Sequence, residues 1–124
     1  MMRYKDISQH CLSKPYVTED YKEEWDAWRY RIGEKMFAMI GQDKEKRNIL
    51  SLKLHPQQGQ RLRELYQSIR PGYYLNKLHW NSIDLHGDVP MEFLYDLIDE
   101  SYDRVLKSMT QKQQMELEGK AYED

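Results

Sequence analysis

Arg29 and Arg31 stand two residues apart in the stretch Asp26-Ala-Trp-Arg-Tyr-Arg-Ile32. Side chains of a strand alternate between its faces, so a pair at i and i+2 shares one face and can address neighbouring phosphates. Arginine suits that task because its planar fork donates two parallel hydrogen bonds to a phosphate or a carboxylate. Tyr73, Tyr74 and Trp80 are of the type that stacks on unpaired bases. Each of these residues also has a plainer use. The arginines suit a solvated face or a carboxylate such as Asp84, Trp80 suits a core, and Asn76 and Lys77 suit a turn in Tyr-Leu-Asn-Lys.

Catalytic constellations are not evident. His10 and Cys11 are sequence neighbours, and neighbours diverge by about 100° on a helix. His79 and His86 have opposite strand parity. There is no Cys-x-x-Cys, His-Glu-x-x-His or glycine-rich phosphate loop. No nucleophile, base and donor set converges, so the expectation is a chain with no enzymatic activity, no cofactor and no small-molecule substrate. Asp96, Asp99, Glu100 and Asp103 fall at i, i+3, i+4 and i+7 on one helix face, where carboxylates can hold a hard cation. Nothing else in the sequence completes such a site, so a solvated face and no bound metal are expected.

These residues sit in a chain of 124 residues, a length at which one domain with one core is the usual outcome. Leu, Ile, Val and Phe contribute only about a fifth of it, close to the composition of disordered chains. Disorder also requires high net charge and few aromatics. Here the net charge is −2 and there are 10 Tyr, 3 Trp and 2 Phe, which predicts a folded, aromatic-rich core. A single Cys excludes an internal disulfide and suits a reducing compartment. The longest apolar run, Met36–Ile40, is too short to span a bilayer, and no signal-type segment opens the chain, so a cytoplasmic domain without a membrane role is expected. The charge is unevenly spread: −2 over residues 1–28, +7 over 29–80 and −7 over 81–124. The basic middle can meet phosphate, or the opposed segments can neutralise one another. A sequence pI of about 6.1 lacks the basic footprint of a tight duplex binder.

Apolar spacing predicts the elements. Tyr4, Ile7, Cys11 and Leu12 indicate a helix over 4–13, ended by Pro15. Residues 26–32 and 35–41 indicate strands joined by Gly33-Glu34 in a type II′ turn, and 48–54 a third strand after the charged 43–47 loop. Pro56 opens a second helix carrying Leu62, Leu65, Tyr66 and Ile69. Tyr73–Asn76 and Trp80–Leu85 then predict a second hairpin, closed by His86-Gly87-Asp88. Asp88, Pro90 and Glu92 mark the start of a long helix to about Met109, and Thr110 with Gln113 matches a capping box. Neighbouring strands joined by short turns imply an antiparallel sheet. The expectation is a two-layer α+β fold with five strands in the order α-β3-α-β2-α, as one domain over 1–118 with a frayed tail over 119–124.

Residues 71–81, Pro-Gly-Tyr-Tyr-Leu-Asn-Lys-Leu-His-Trp-Asn, resemble the signature stretch of the MmcQ/YjbR family. Its motif positions here are Pro71, Gly72, Tyr73, Asn76, Lys77, His79 and Trp80. The resemblance extends upstream to Lys35-Met-Phe-Ala38, Leu52-Lys53 and Arg63-Glu-Leu-Tyr66, and downstream to Asp84-Leu85 with Gly87 and Leu97-Ile98 with Ser101-Tyr102. It covers roughly residues 4–110; Leu75 stands where Met is frequent, and no Gly-Pro precedes the first strand. It implies a CyaY-like or secretion-chaperone-like fold and a predicted DNA-binding protein of the "double wing" type. Two hairpins would then act as wings against phosphate, with Arg29, Arg31, Lys35, Lys53, Arg70, Lys77 and His79 as the candidate contacts. The alternative is a protein-interaction or homodimerisation module that docks a partner on the open sheet face through Met36, Met39 and aromatic residues.

Overall fold

The computed structural model of the protein describes the backbone of residues 2–72 and 75–122, with side chains for 4–72 and 75–119. Tyr73 and Tyr74, for which a strand and base stacking were expected, lie outside the described residues. The elements are α1 Met2–Leu12, β1 Val17–Lys22, a 3-10 turn Glu23–Trp25, β2 Ala27–Ile32, β3 Lys35–Gln42, β4 Asn48–Lys53 and α2 Pro56–Leu65. They continue with β5 Ile69–Pro71, β6 Trp80–Asp84, α3 Met91–Ser108 and α4 Gln111–Tyr122. The strands pair antiparallel in the order β1-β2-β3-β4-β6-β5. The fold is α+β with an open antiparallel sheet, but among the described residues it has six strands rather than five, with four helices. Among the described residues no helix is long and apolar enough to cross a membrane.

The unexpected strand is β1. Its Val-Thr-Glu-Asp-Tyr-Lys carries no apolar face, because an edge strand pairs on one side only and keeps its side chains half exposed. The turn into β3 follows expectation: Gly33 has φ +59° and Glu34 has no positive φ, the type II′ combination. Ile69 belongs to β5, not to the second helix, because α2 ends at Leu65 and Tyr66 is extended. The second hairpin therefore pairs Ile69–Pro71 with Trp80–Asp84, and residues 75–76 lie in its connection. Pro71 has no N–H to give a ladder, which an edge strand such as β5 tolerates. Asp88 does not cap α3; Pro90 occupies the cap position and Asp88 accepts from Ser68 Oγ. Thr110 and Gln113 do form the reciprocal box, with Gln113 N donating to Thr110 Oγ1 at 3.1 Å and Thr110 N to Gln113 Oε1 at 2.9 Å. Helix α4 continues past Gly119 to Tyr122.

One face of the sheet carries the core. Ile7 and Cys11 of α1 and Leu94, Leu97, Ile98 and Val105 of α3 are buried with Tyr30, Ile32, Ile40, Leu50, Leu52 and Ile83. Each such aliphatic contributes roughly 1.5–3 kcal/mol by leaving water. Ser101 ties α3 to two strands at once, donating to Phe37 O at 2.6 Å and accepting from Lys53 N at 2.9 Å. The second face follows from register. Asp20, Arg29, Met39, Ser51, Ser82 and Arg70 lie opposite one another across the six strands, and directly opposed residues share a face.

Candidate nucleic-acid interface

The seven candidate contacts do not form one surface. Lys53 ends β4, and its backbone N–H is the one held by Ser101. That bond ties α3 to β4, and Arg104 and Lys107, one and two turns on, line the same groove as Lys53. A groove of about 670 Å³ opens there, lined on the strand side by Lys53, Leu54 and His79, by His55 and Gln58 of the α2 start, and by Glu100, Asp103, Arg104, Lys107 and Ser108 of α3. Lys35 reaches its rim, with Nζ 3.4 Å from Ser108 Oγ. Among the described residues, Lys53, Arg104 and Lys107 make no ion pair. The two groove carboxylates are otherwise placed: Gln58 Nε2 donates to Glu100, and Asp103 faces solvent. His79 Nδ1 is buried with no hydrogen-bond partner among the described residues.

Arg29 and Arg31 share a face as their spacing predicts, yet that face belongs to a carboxylate. Arg29 grips Asp20 with both arms of its fork, Nε to Oδ1 at 2.8 Å and Nη2 to Oδ2 at 2.7 Å. Arg31 Nη2 donates to the same Oδ2 at 2.9 Å. Register explains the pairing, because β1 sets Asp20 directly opposite Arg29. The hydrogen bond from Arg29 holds the Asp20 carboxyl below the usual carboxylate range, with the charge of Arg31 assisting. A carboxylate was anticipated as an alternative partner, but as Asp84; the one present comes from the strand that the sequence pattern did not reveal.

The remaining candidates are dispersed. Arg70 lies at the opposite end of the register row from Arg29, four strand spacings or roughly 19 Å away. It lines a separate cleft of about 470 Å³ with Arg47, Asp43, Asp84 and Asp88. Lys77 Nζ donates to Gly72 O at 2.8 Å, which closes the connection between β5 and β6. Most of the signature stretch builds that connection. Asn76 Oδ1 accepts from Leu78 N, Trp80 N donates to Asn76 O, and Gly72 N donates to Trp80 O. A Cβ on Gly72 would fall 2.9 Å from Trp80 Cβ, so only glycine allows this approach. Leu54 N donates to His79 O at 2.8 Å, which carries His79 to the groove. Trp80 is buried, but on the sheet face of Ser82 and Met39 rather than in the main core. Met39 there is 1% exposed and Met36 half-buried, so neither is a free docking residue.

Two further expectations can be placed. The acidic face of α3 is divided: Asp99 accepts from His10 Nε2 at 2.8 Å and from Lys14 Nζ at 2.5 Å, and Glu100 turns to Gln58, while Asp96 and Asp103 face solvent. Among the described residues no three His, Cys, Asp or Glu side chains are grouped to hold a metal ion. Burial alone would raise the Asp99 carboxyl, but the hydrogen bonds from Lys14 and His10 outweigh it and hold it low. Cys11 is buried in the core, and burial pushes its thiol up to about 12, so it is not a thiolate at neutral pH. Arg104 and Lys107 are the groove residues that sequence reasoning missed. They lie in the −7 segment, where averaging charge along the chain hides two cations on one helix face.

Comparison with known proteins accounts for this arrangement of elements. The family model described as YjbR matches residues 12–104. The uncharacterized protein YjbR of Escherichia coli strain K12 is 30% identical over 111 residues, covering 90% of this chain and 93% of that protein. The uncharacterized protein YyaQ of Bacillus subtilis is 31% identical over 115 residues, covering 82% of this chain and 97% of that one. The crystal structure of Deinococcus radiodurans protein DR2400, a DUF419 domain, superposes with a TM-score of 0.80 at 32% identity, covering 92% of this chain and 86% of that one. A Pseudomonas syringae protein of known structure superposes with a TM-score of 0.67 at 25% identity, covering 82% and 96%. With a family match from the end of α1 into α3, residues 12–104, this chain belongs to the YjbR family.

Proposed function

We propose that the protein is a non-catalytic binder of nucleic-acid phosphate, weak in affinity, that contacts the backbone through the groove cations rather than through the arginine pair. The observation that carries this reading is that Lys53, Arg104 and Lys107 line one groove without an ion pair among the described residues, with Lys35 at its rim. An unpaired cation on a protein surface gives up only water and counterions to meet a phosphate, and the released counterions drive association. Arg29 and Arg31 already share the charge of Asp20. The net −2 charge and the carboxylates at the groove limit the affinity to the micromolar range or weaker that typifies non-specific binding.

The test is a salt titration of fluorescent duplex and single-stranded oligonucleotides. Four phosphate contacts give a log–log slope of about −3 to −4 on duplex DNA, shallower on single strands. A slope near zero, or no binding of either form at about 50 mM salt, removes the reading. Light scattering on the same samples addresses the docking alternative, which requires a concentration-dependent mass and no salt slope. Of the contacts named for that alternative, Met39 is buried and Met36 half-buried.

A further inference from the structure

We propose that the groove at the end of β4 seats a terminal phosphate monoester, the charged end of a nucleic-acid strand or of a nucleotide; this rests on the phosphate-binding reading above. Arg104 and Lys107 are three residues apart on α3 and so are neighbours on one face. Lys53 lines the same groove from the end of β4, so three cationic residues border one volume of about 670 Å³. A run of phosphodiesters threading the groove passes Glu100 and Asp103, the carboxylates one turn before Arg104 and Lys107, which weakens its contacts with the cations. A chain end needs only the centre.

Charge and hydrogen bonding both favour the monoester. It carries about −1.5 to −2 at neutral pH, so its attraction to each cation is up to about twice that of a singly charged diester at the same distance. It also presents three terminal acceptor oxygens, against the diester's two. His55, which lines the groove, carries a further donor. Its Nδ1 accepts from Gln57 N at 3.1 Å, which leaves the ring hydrogen on Nε2. The side chain of Gln58 is already held by Glu100, so these two lining residues are paired with each other before any ligand arrives.

Fluorescence anisotropy of the full chain decides the matter, with an oligonucleotide ending in phosphate, the same oligonucleotide ending in hydroxyl, and AMP as competitor. The phosphate-ended strand is expected to bind about tenfold more tightly, the gain of one charge-assisted contact. Arg104→Gln with Lys107→Gln weakens both strands and brings their ratio to about one, with an unchanged circular dichroism spectrum as the control for folding; if the double variant does not fold, Lys107→Gln alone, at an exposed position, replaces it. Displacement by AMP shows that any monoester suffices, and discrimination without displacement assigns the seat to a strand end; both sustain the proposal. Equal binding of the two strands by the wild type, or discrimination that survives the variant, overturns it and leaves backbone binding standing. If neither strand binds, the nucleic-acid reading is lost and an NMR titration with AMP decides this proposal alone. Shifts centred on the His55 and His79 imidazoles sustain it, and no shift at about 10 mM, the limit of millimolar affinity, overturns it.

Discussion

On β2, Arg29 and Arg31 face a carboxylate set opposite them by strand register, and both guanidinium groups are hydrogen-bonded to it. In the groove, Lys53, Arg104 and Lys107 have two carboxylates within the same walls, yet they are paired with neither. The comparison teaches that a cation's availability depends on the strand or helix turn beside it, more than on how basic its own segment is. Two arginines sharing one carboxylate keep one net positive charge, with three of their donors committed to it. Unpaired cations keep both charge and donors.

The sharpest way to break this contrast is to remove each set and compare. Arg104→Gln with Lys107→Gln should make the salt slope on duplex DNA shallower by about two, because each lost phosphate contact removes about one. Arg29→Gln with Arg31→Gln should leave the slope within about half a unit and act on stability instead, costing about 1 kcal/mol for an exposed paired network in urea unfolding. If the second variant loses the slope and the first does not, the assignment of roles is reversed.

Asp20→Ala should have the next largest effect. Freeing the two arginines raises their charge available to phosphate, so oligonucleotide affinity should rise and the slope steepen by about one to two. An unchanged slope would show that this face does not reach phosphate even when free. A smaller effect belongs to pH. The Asp20 carboxyl titrates lower in the folded chain than the ordinary value of about 3.9. Its contribution to stability is therefore present above that value and lost as the pH falls through the lowered one. Thermal melts should show Asp20→Asn less stable than wild type at neutral pH, with the gap closing on acidification below about pH 4. The gap should be modest, because the Asp20 side chain is 35% exposed. Least affected should be Arg70→Gln, which removes a cation in the other cleft; duplex affinity should stay within about twofold of wild type.

Much of the fold could be read from local chemistry. Alternation marked β2, β3 and β4, the glycine marked the type II′ turn, and Thr110 with Gln113 marked the start of α4. Strand β1 escaped notice because an edge strand with half-exposed polar side chains leaves no period-two apolar signal. β5 was misplaced because Ile69 fits the i, i+7 position of a helix as well as the start of a strand, and periodicity alone does not choose between them. Of the candidate contacts, Lys53 and His79 reached the groove and Lys35 its rim. Arg29 and Arg31 were correctly placed on one face but not as free groups.

The sequence by itself determined the class of fold, the family, and which side chains carry positive charge, because these depend on residue type, short-range spacing and a contiguous motif. Only the tertiary structure decided which of those charges are free. Asp20 reaches Arg29 through antiparallel register, and Arg104 and Lys107 share a groove with Lys53 where Ser101 ties α3 to the end of β4. A charge is neutralised or exposed by neighbours in space, and these are set by strand pairing and helix packing between residues from 9 to 54 positions apart.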